Sequence, residues 1–500
     1  MATPKNGSNA RSKRLTAEKV RQMFANMDES DDLESSGSEY NVGNDDEDSD
    51  SGSATSRPST SSASSDRSRQ GAAQPEPGPS GERPAKRART NDEDGWKEVK
   101  TGLDLETGNN FRFLPKNGRE PGISPDLDLD PMDSPSPLRC LKALLTDALF
   151  DYIIQSINDF AAVQVTKNTP ARRRSRYASW IDITKQEFLK FLAVLTNMGI
   201  DKRAAVQDYF STQPSQYAPW YHQMFDRERF EVIYHTMLHV DEPDATGKNK
   251  IEPFENRLIE SYNEAFTPYE NVSIDEMIIG WKGRWKYKQY NASKPHKYHI
   301  KSFGLVDSAT GYVLNLLTYY GAETSYDPDL DDSHGSNSVK IMDTLLKPIG
   351  SGYHIFADRW YTTMNLLEYL ISKKQYFTGT FQANRVGFPE EIRSKQLQLN
   401  YMEHKFWLSE DLRKMCVAWR DKKANKPVYV TSTKGETETV TIKGKEKPAV
   451  IHSYNFSMNG CDRADQMVGY YGLHTRKSKK WWKKIFYWML EITCSNSYIL

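Results

Sequence analysis

The chain has 500 residues, with Lys+Arg and Asp+Glu balanced at 67 each, no net charge and a pI near 7.1. That length exceeds one ordinary domain and implies two or more units with tails. Four scattered cysteines (Cys140, Cys416, Cys461, Cys494) exclude a disulfide framework and a CxxC zinc site, and no apolar run approaches the roughly 20 residues that span a bilayer, so no membrane role is expected.

Residues 1–95 are rich in Ser, Asp, Glu, Gly and Pro and cannot bury enough apolar surface to offset ordering, so the sequence predicts a disordered tail. A short helix is expected from Ala10, and Arg83-Pro-Ala-Lys-Arg-Ala-Arg is a basic run of the nuclear-import type, equally readable as a solvated charge cluster. The expected location is the nucleus. From Leu141 the spacing turns helical, with Leu144, Leu145, Ala148, Leu149, Tyr152 and Ile153 on one stripe. Further helices are predicted over Thr184–Met198, with Asp182 as N-cap, and over Asp226–His239.

The period then changes to two. Val272–Ile279, His299–Asp307, Tyr312–Tyr319, Tyr353–Ala357 and Tyr376–Phe381 read as strands, with helices at Ser338–Leu346 and Thr362–Lys373. Three strands followed by α-β-α-β predict an RNase H-like mixed sheet in which the first and fourth strands end side by side. Phe406-Trp-Leu, Cys416-Val-Ala-Trp, Val428–Thr433 and Val450-Ile-His-Ser-Tyr read as β runs of an insertion, and helix returns at Gly460–Leu473 and Trp481–Asn496. The predicted class is α+β: a tail (1–95), a helical region (130–265), a core in two parts (266–382 and 458–500, the second cut short) and a β-rich insertion (383–457).

Asp275 lies inside an apolar strand, where a carboxylate is costly unless paired or metal-bound. Alone it would equally suit a strand-edge ion pair. Asp358 ends a buried-strand run, and Asp462 and Asp465 are three apart on a predicted helix, where like charges repel unless a cation lies between them. Carboxylates gathered from separate elements can hold two Mg²⁺ or Mn²⁺ ions about 3.5–4 Å apart. Between the first two strands, Lys282, Arg284, Lys286, Lys288, Lys294, Lys297 and Lys301 interleave with Trp and Tyr, a composition suited to phosphate contact and base stacking. Arg385 and the pair Arg476 and Lys477 extend that candidate DNA-binding set.

Over residues 130–500 the chain resembles the piggyBac transposase family and its domesticated derivatives. The resemblance is carried by Glu187–Ile200, Asp208–Thr212 and Arg227–Ile233 in the helical block, and then by Ser273-Ile-Asp-Glu-Met-Ile-Ile-Gly-Trp-Lys-Gly-Arg. Lys294–Lys301, Asp358-Arg-Trp-Tyr-Thr-Thr and Cys461-Asp-Arg-Ala-Asp-Gln-Met complete it. It implies a DDD transposase that binds double-stranded DNA as a homodimer, cuts transposon ends at TTAA sites through hairpins, and joins 3′-hydroxyl ends to target DNA. In that scheme Asp275, Asp358 and Asp462 are the catalytic carboxylates, with Asp465 a further metal ligand. Family transposases usually end in a cysteine-rich zinc module, and none can be read before Leu500, which leaves a catalytically silent DNA or chromatin binder as the alternative expectation.

Overall fold

The computed structural model describes residues 95–99 and 107–500, apart from 117, 128, 130–135, 169–176, 178–179, 331–335, 395, 423, 436, 443 and 474–477. The predicted disordered tail up to residue 94, its short helix and its import-type basic run lie outside these residues, as do Arg476 and Lys477.

The helical block starts where short polar side chains satisfy the free N–H groups of a first turn. Ser136 caps α1 (Pro137–Leu144), and Thr146 caps α2 (Asp147–Lys167), whose N-cap oxygen accepts from Leu149 N at 3.3 Å. The single stripe read from Leu141 is therefore two helices, broken at Leu145. Thr184, not Asp182, caps α3 (Lys185–Ile200), accepting from Glu187 N, while the Asp182 carboxylate takes the Trp180 indole N–H at 3.2 Å. The third predicted helix is a short α-helix, Arg227–Glu231, that widens into a π turn, Val232–Met237. Phe188, Phe191, Phe210, Tyr221, Phe225 and Phe230 pack together beneath it. A bidentate Arg229–Glu187 pair (2.6 and 2.8 Å) locks α3 to that turn. Helix α4 (Glu252–Ala265) leads into the sheet.

Ten strands form one mixed sheet. They are β1 (Trp96–Val99), β2 (Asn271–Gly280), β3 (Gln289–Tyr290), β4 (Tyr298–Asp307), β5 (Val313–Thr318), β6 (His354–Ala357), β7 (Tyr376–Thr380), β8 (His404–Ser409), β9 (Met415–Trp419) and β10 (Val428–Ser432). In the order β1-β8-β9-β10-β7-β6-β2-β4, with β3 and β5 both on β4, only β7–β6 and β6–β2 are parallel. Helix α5 (Asn337–Leu346) connects β5 to β6, and α6 (Met364–Ser372) connects β6 to β7, as parallel pairing requires.

Three features depart from the expected elements. The strands of the expected insertion continue the same sheet, because β10 pairs with β7 (Val430↔Thr380). Strand β1, unmarked in the sequence, adds to the far edge through Trp96↔Ser409. The run from Val450 is not β but helix α7 (Ala449–Ser457): Pro448 precedes it, and its buried Val450, Ile451 and Ser457 follow helical spacing, which overrides the β-branched pair. A ribbon of Thr439–Ile442 and Lys445–Pro448 precedes α7.

Helix α8 (Gly460–Tyr470) lies on β2 and β4, and α9 (Trp481–Ile499) joins both halves of the molecule. One buried core runs without interruption from Leu144 through the sheet to Ile492. Within it Tyr487 stacks on Tyr234 at 5.7 Å, Phe486 meets Phe254, and the Tyr262 hydroxyl bonds Thr493 at 2.7 Å. Fully buried Asn496 closes the edge of β5, taking Val313 N–H and donating to Val313 O, both at 2.9 Å. Asn496→Ala would leave two buried backbone groups without partners, a loss of about 2–4 kcal/mol. A lowered guanidinium midpoint, followed by tryptophan fluorescence on the full chain, checks this.

Candidate functional site

Parallel pairing of β2 with β6 sets Ser273 against Phe356 and Ile274 against Ala357. The next residues are Asp275, midway along β2, and Asp358, immediately past the end of β6, so register alone sets the two aspartates side by side; β2 runs on to Gly280, so the two strands do not end together as expected from the sequence. Ser273 and Asp275 share one face of β2 by alternation. On that face sits the start of α8, where the Cys461 thiol lies 3.8 Å from Ser273 Oγ and 3.7 Å from Gly304 O. Such proximity requires a glycine before it: a Cβ on Gly460 would overlap Ser273 Oγ. The first turn of α8 then presents Asp462, exposed, and its second presents Asp465, half-buried beside the Ile278 backbone.

Electrostatic contact links the four carboxylates in a chain, Asp358 to Asp275, Asp275 to Asp462 and Asp462 to Asp465. Burial, and then the charge of Asp358, pushes the Asp275 carboxyl up to about 7, with Asp462 adding to it and Lys294 opposing. Asp465 is pushed up to about 7 by burial and by Asp462, again against Lys294. Asp358 is raised by burial, partly relieved by the Trp360 N–H and raised further by Glu276. Asp275 Oδ1 accepts from Glu276 N at 2.7 Å, and Asp358 Oδ1 from Trp360 N at 2.8 Å. Each thus spends one oxygen on the backbone.

A cluster of half-sunk carboxylates whose protons are held by burial first and neighbouring charge second is the donor chemistry that suits a hard divalent cation. The fit is of charge and ligand type. Among the described residues no three His, Cys, Asp or Glu side chains are drawn together as a compact ligand group. By contrast, Asp307 is structural, its oxygens accepting from Tyr269 N, Ala309 N and Thr310.

The expected DNA-binding set divides. Lys282, Arg284 and Lys297 are exposed. Lys294 faces the carboxylates. Lys286 pairs with Glu323 at 2.6 Å, and Lys288 donates to Gly283 O. Half-buried Lys301 holds Glu276 at 2.5 Å over the Phe303 and Trp360 rings, and Arg385 donates to the carbonyls of Arg359 and Trp360, bracing the loop after Asp358. The aromatic residues divide as well. Trp281 is core and Trp285 stacks on Trp481, while Tyr290, Tyr298 and Trp360 stay exposed.

Two tyrosines near the carboxylates are not singled out by the sequence, although Tyr361 belongs to the Asp358-Arg-Trp-Tyr-Thr-Thr motif. Tyr361 is buried within reach of Asp275, Glu276 and Asp358. Tyr454 on α7 is raised by burial and by Asp358, Asp275 and Asp462; its position becomes legible only once α7 is read as helix.

Comparison with known proteins places the chain in context. A family model described as Transposase IS4 matches residues 136–498. Two human proteins are similar: PiggyBac transposable element-derived protein 3, 22% identical over 385 residues (73% of this chain, 61% of that protein), and PiggyBac transposable element-derived protein 2, 23% identical over 356 residues (67% and 59%). The chain therefore spans about three-fifths of the length of these curated relatives. A cryo-EM structure titled piggyBac transposase synaptic complex with hairpin DNA shares the fold, with a TM-score of 0.64 at 23% identity over 76% of this chain and 77% of that one.

In the folded, metal-free chain Asp275 and Asp465 keep their protons to about pH 7, against an unfolded carboxyl pKa of about 3.9. The folded state binds the extra protons, so this contribution to stability is full below about pH 4 and is lost as pH rises towards 7. Asp275→Asn should therefore gain on the wild type in denaturant midpoint, in EDTA, as pH is raised across that window. A gap that stays flat with pH contradicts the placement.

Proposed function

The chain belongs to the Transposase IS4 family, of piggyBac type, and from that premise we propose that it is a DDD transposase or domesticated derivative that binds double-stranded DNA and breaks and rejoins phosphodiester bonds at TTAA sites. The observation that carries this reading is the β2–β6 register, which sets Asp275 beside Asp358 and, through Gly460, brings Asp462 and Asp465 onto the same face. The order β5-β4-β2-β6-β7, three antiparallel strands then two parallel crossovers, supports an RNase H-like core, with β8–β10 as the insertion. The similar synaptic complex supports DNA as partner. Homodimerisation, the five-part domain division and nuclear location complete the reading as proposals.

In this scheme Asp275, Asp358, Asp462 and Asp465 hold two Mg²⁺ or Mn²⁺ ions. When bound, such ions lower the pKa of an attacking water or 3′-hydroxyl and stabilise the leaving oxygen. The chain's own residues supply the frame. The β2–β6 ladder fixes Asp275 within β2 and Asp358 just past β6, leaving little reorganisation at the moment of reaction. Lys294 offsets the repulsion beside Asp275 and Asp465. Exposed Trp360, next to Asp358, and exposed Tyr290 and Tyr298 offer faces on which bases can stack, while Lys282, Arg284 and Lys297 meet phosphates.

A catalytically silent DNA- or chromatin-binding protein is the second reading, favoured by relatives whose names describe them as transposable element-derived. Cleavage of a labelled TTAA-flanked end in Mg²⁺ separates the two. The wild type should cut and Asp358→Ala should fall to background; absence of cutting by either favours the silent binder. Salt titration of DNA binding tests the basic loop. The triple change Lys282→Ala, Arg284→Ala, Lys297→Ala should reduce the slope of log K against log salt by about 0.9 for each phosphate that is no longer neutralised, whereas Lys301→Ala, removing an internal pair, should leave it nearly unchanged.

A further inference from the structure

Tyr361 follows Asp358 by three residues and is only 1% exposed. Its ring packs edge-on against Phe303 and Trp360, at centroid distances of 6.3 and 4.9 Å. A phenol this deep ordinarily finds a hydrogen-bond partner. The Tyr361 hydroxyl has none among the described residues. It is instead sunk just after the end of β6, and the acidic charges that reach it are those of Asp275, Glu276 and Asp358. Burial, and then Asp275, drive its acidity well away from neutrality, so it stays an O–H donor throughout the working range.

Nearby acceptors are already partly used. Asp275 and Asp358 each give Oδ1 to a backbone N–H, and Glu276 is held by Lys301. A buried donor without a partner costs free energy in this state, a cost that is relieved if another state of the site uses it. We propose that Tyr361 is a positioning residue whose hydroxyl is reserved for the Asp275 carboxylate in the cation-loaded site, orienting that carboxylate as a ligand. The inference rests on the reading above, that these carboxylates hold divalent cations. Groups that orient metal ligands in this way typically change metal affinity 10–100-fold when removed.

The molecule contains its own control. Tyr353, fully buried on the approach to β6, also has a hydroxyl with no partner among the described residues, but the acidic charge that reaches it is that of Asp307, away from the site. The experiment uses the full chain: calorimetric titration with MnCl₂, together with denaturant midpoints in EDTA, for wild type, Tyr361→Phe and Tyr353→Phe. Tyr361→Phe should bind Mn²⁺ 10–100-fold more weakly while its metal-free midpoint equals or exceeds that of the wild type. Tyr353→Phe should bind Mn²⁺ as the wild type does. Equal Mn²⁺ affinity in Tyr361→Phe overturns the inference and leaves the metal reading standing. So does an equal loss in both variants, which would mark a general effect of the core. Failure of the wild type to bind Mn²⁺ overturns both.

Discussion

Burial of acidic side chains close to one another is the constraint the rest of this molecule is arranged to withstand. Left to flexible loops, Asp275, Asp358, Asp462 and Asp465 would separate into water. Two come instead from neighbouring parallel strands, Asp275 within β2 and Asp358 just past β6, whose ladder fixes their spacing, and two from a helix pressed onto that sheet. The helix can come so close only because Gly460 has no side chain and Cys461, one of the smallest buried residues available, fills the seam against Ser273 and Gly304. The cost appears as raised proton affinity at Asp275, Asp358 and Asp465.

The same economy governs the cations. In a loop as basic as 280–301, every Lys and Arg invites assignment to phosphate. Packing assigns some of them inward. Lys301 neutralises Glu276 within the sheet, and Arg385 ties down the backbone that follows Asp358. Under the proposed function their contribution to DNA binding is indirect, through the shape they hold. Lys282, Arg284 and Lys297 keep their charge at the surface. One composition thus serves two ends, and exposure separates them.

Much of the site was legible in sequence because its geometry follows from periodicity. Strand alternation placed Asp275, the end of an apolar run placed Asp358, and helical spacing paired Asp462 with Asp465. The unread portion depended on contacts distant in the chain. The Glu276–Lys301 pair is set by register between strands, and the packing of Trp285 is decided partly by Trp481, some 200 residues away in sequence. Strand β1 finds its partner more than 300 residues later. Helix α7 was hidden because Val-Ile favours strand locally, whereas the surfaces available to it rewarded a 3.6-residue repeat. Local preference yielded to tertiary packing.

Helix α9 gives the architecture a direction in time. Its rings complete a core that also contains Leu144, and Asn496 seals the edge of β5. During synthesis, which proceeds from the N-terminus, the helical block and the first strands emerge long before the residues that cover them. Until Asn496 has been added, the nascent chain must carry an open apolar face and an uncapped strand edge, the two features that most invite association with other chains. The helix that joins the two halves therefore also sets when the protein stops needing protection from its neighbours.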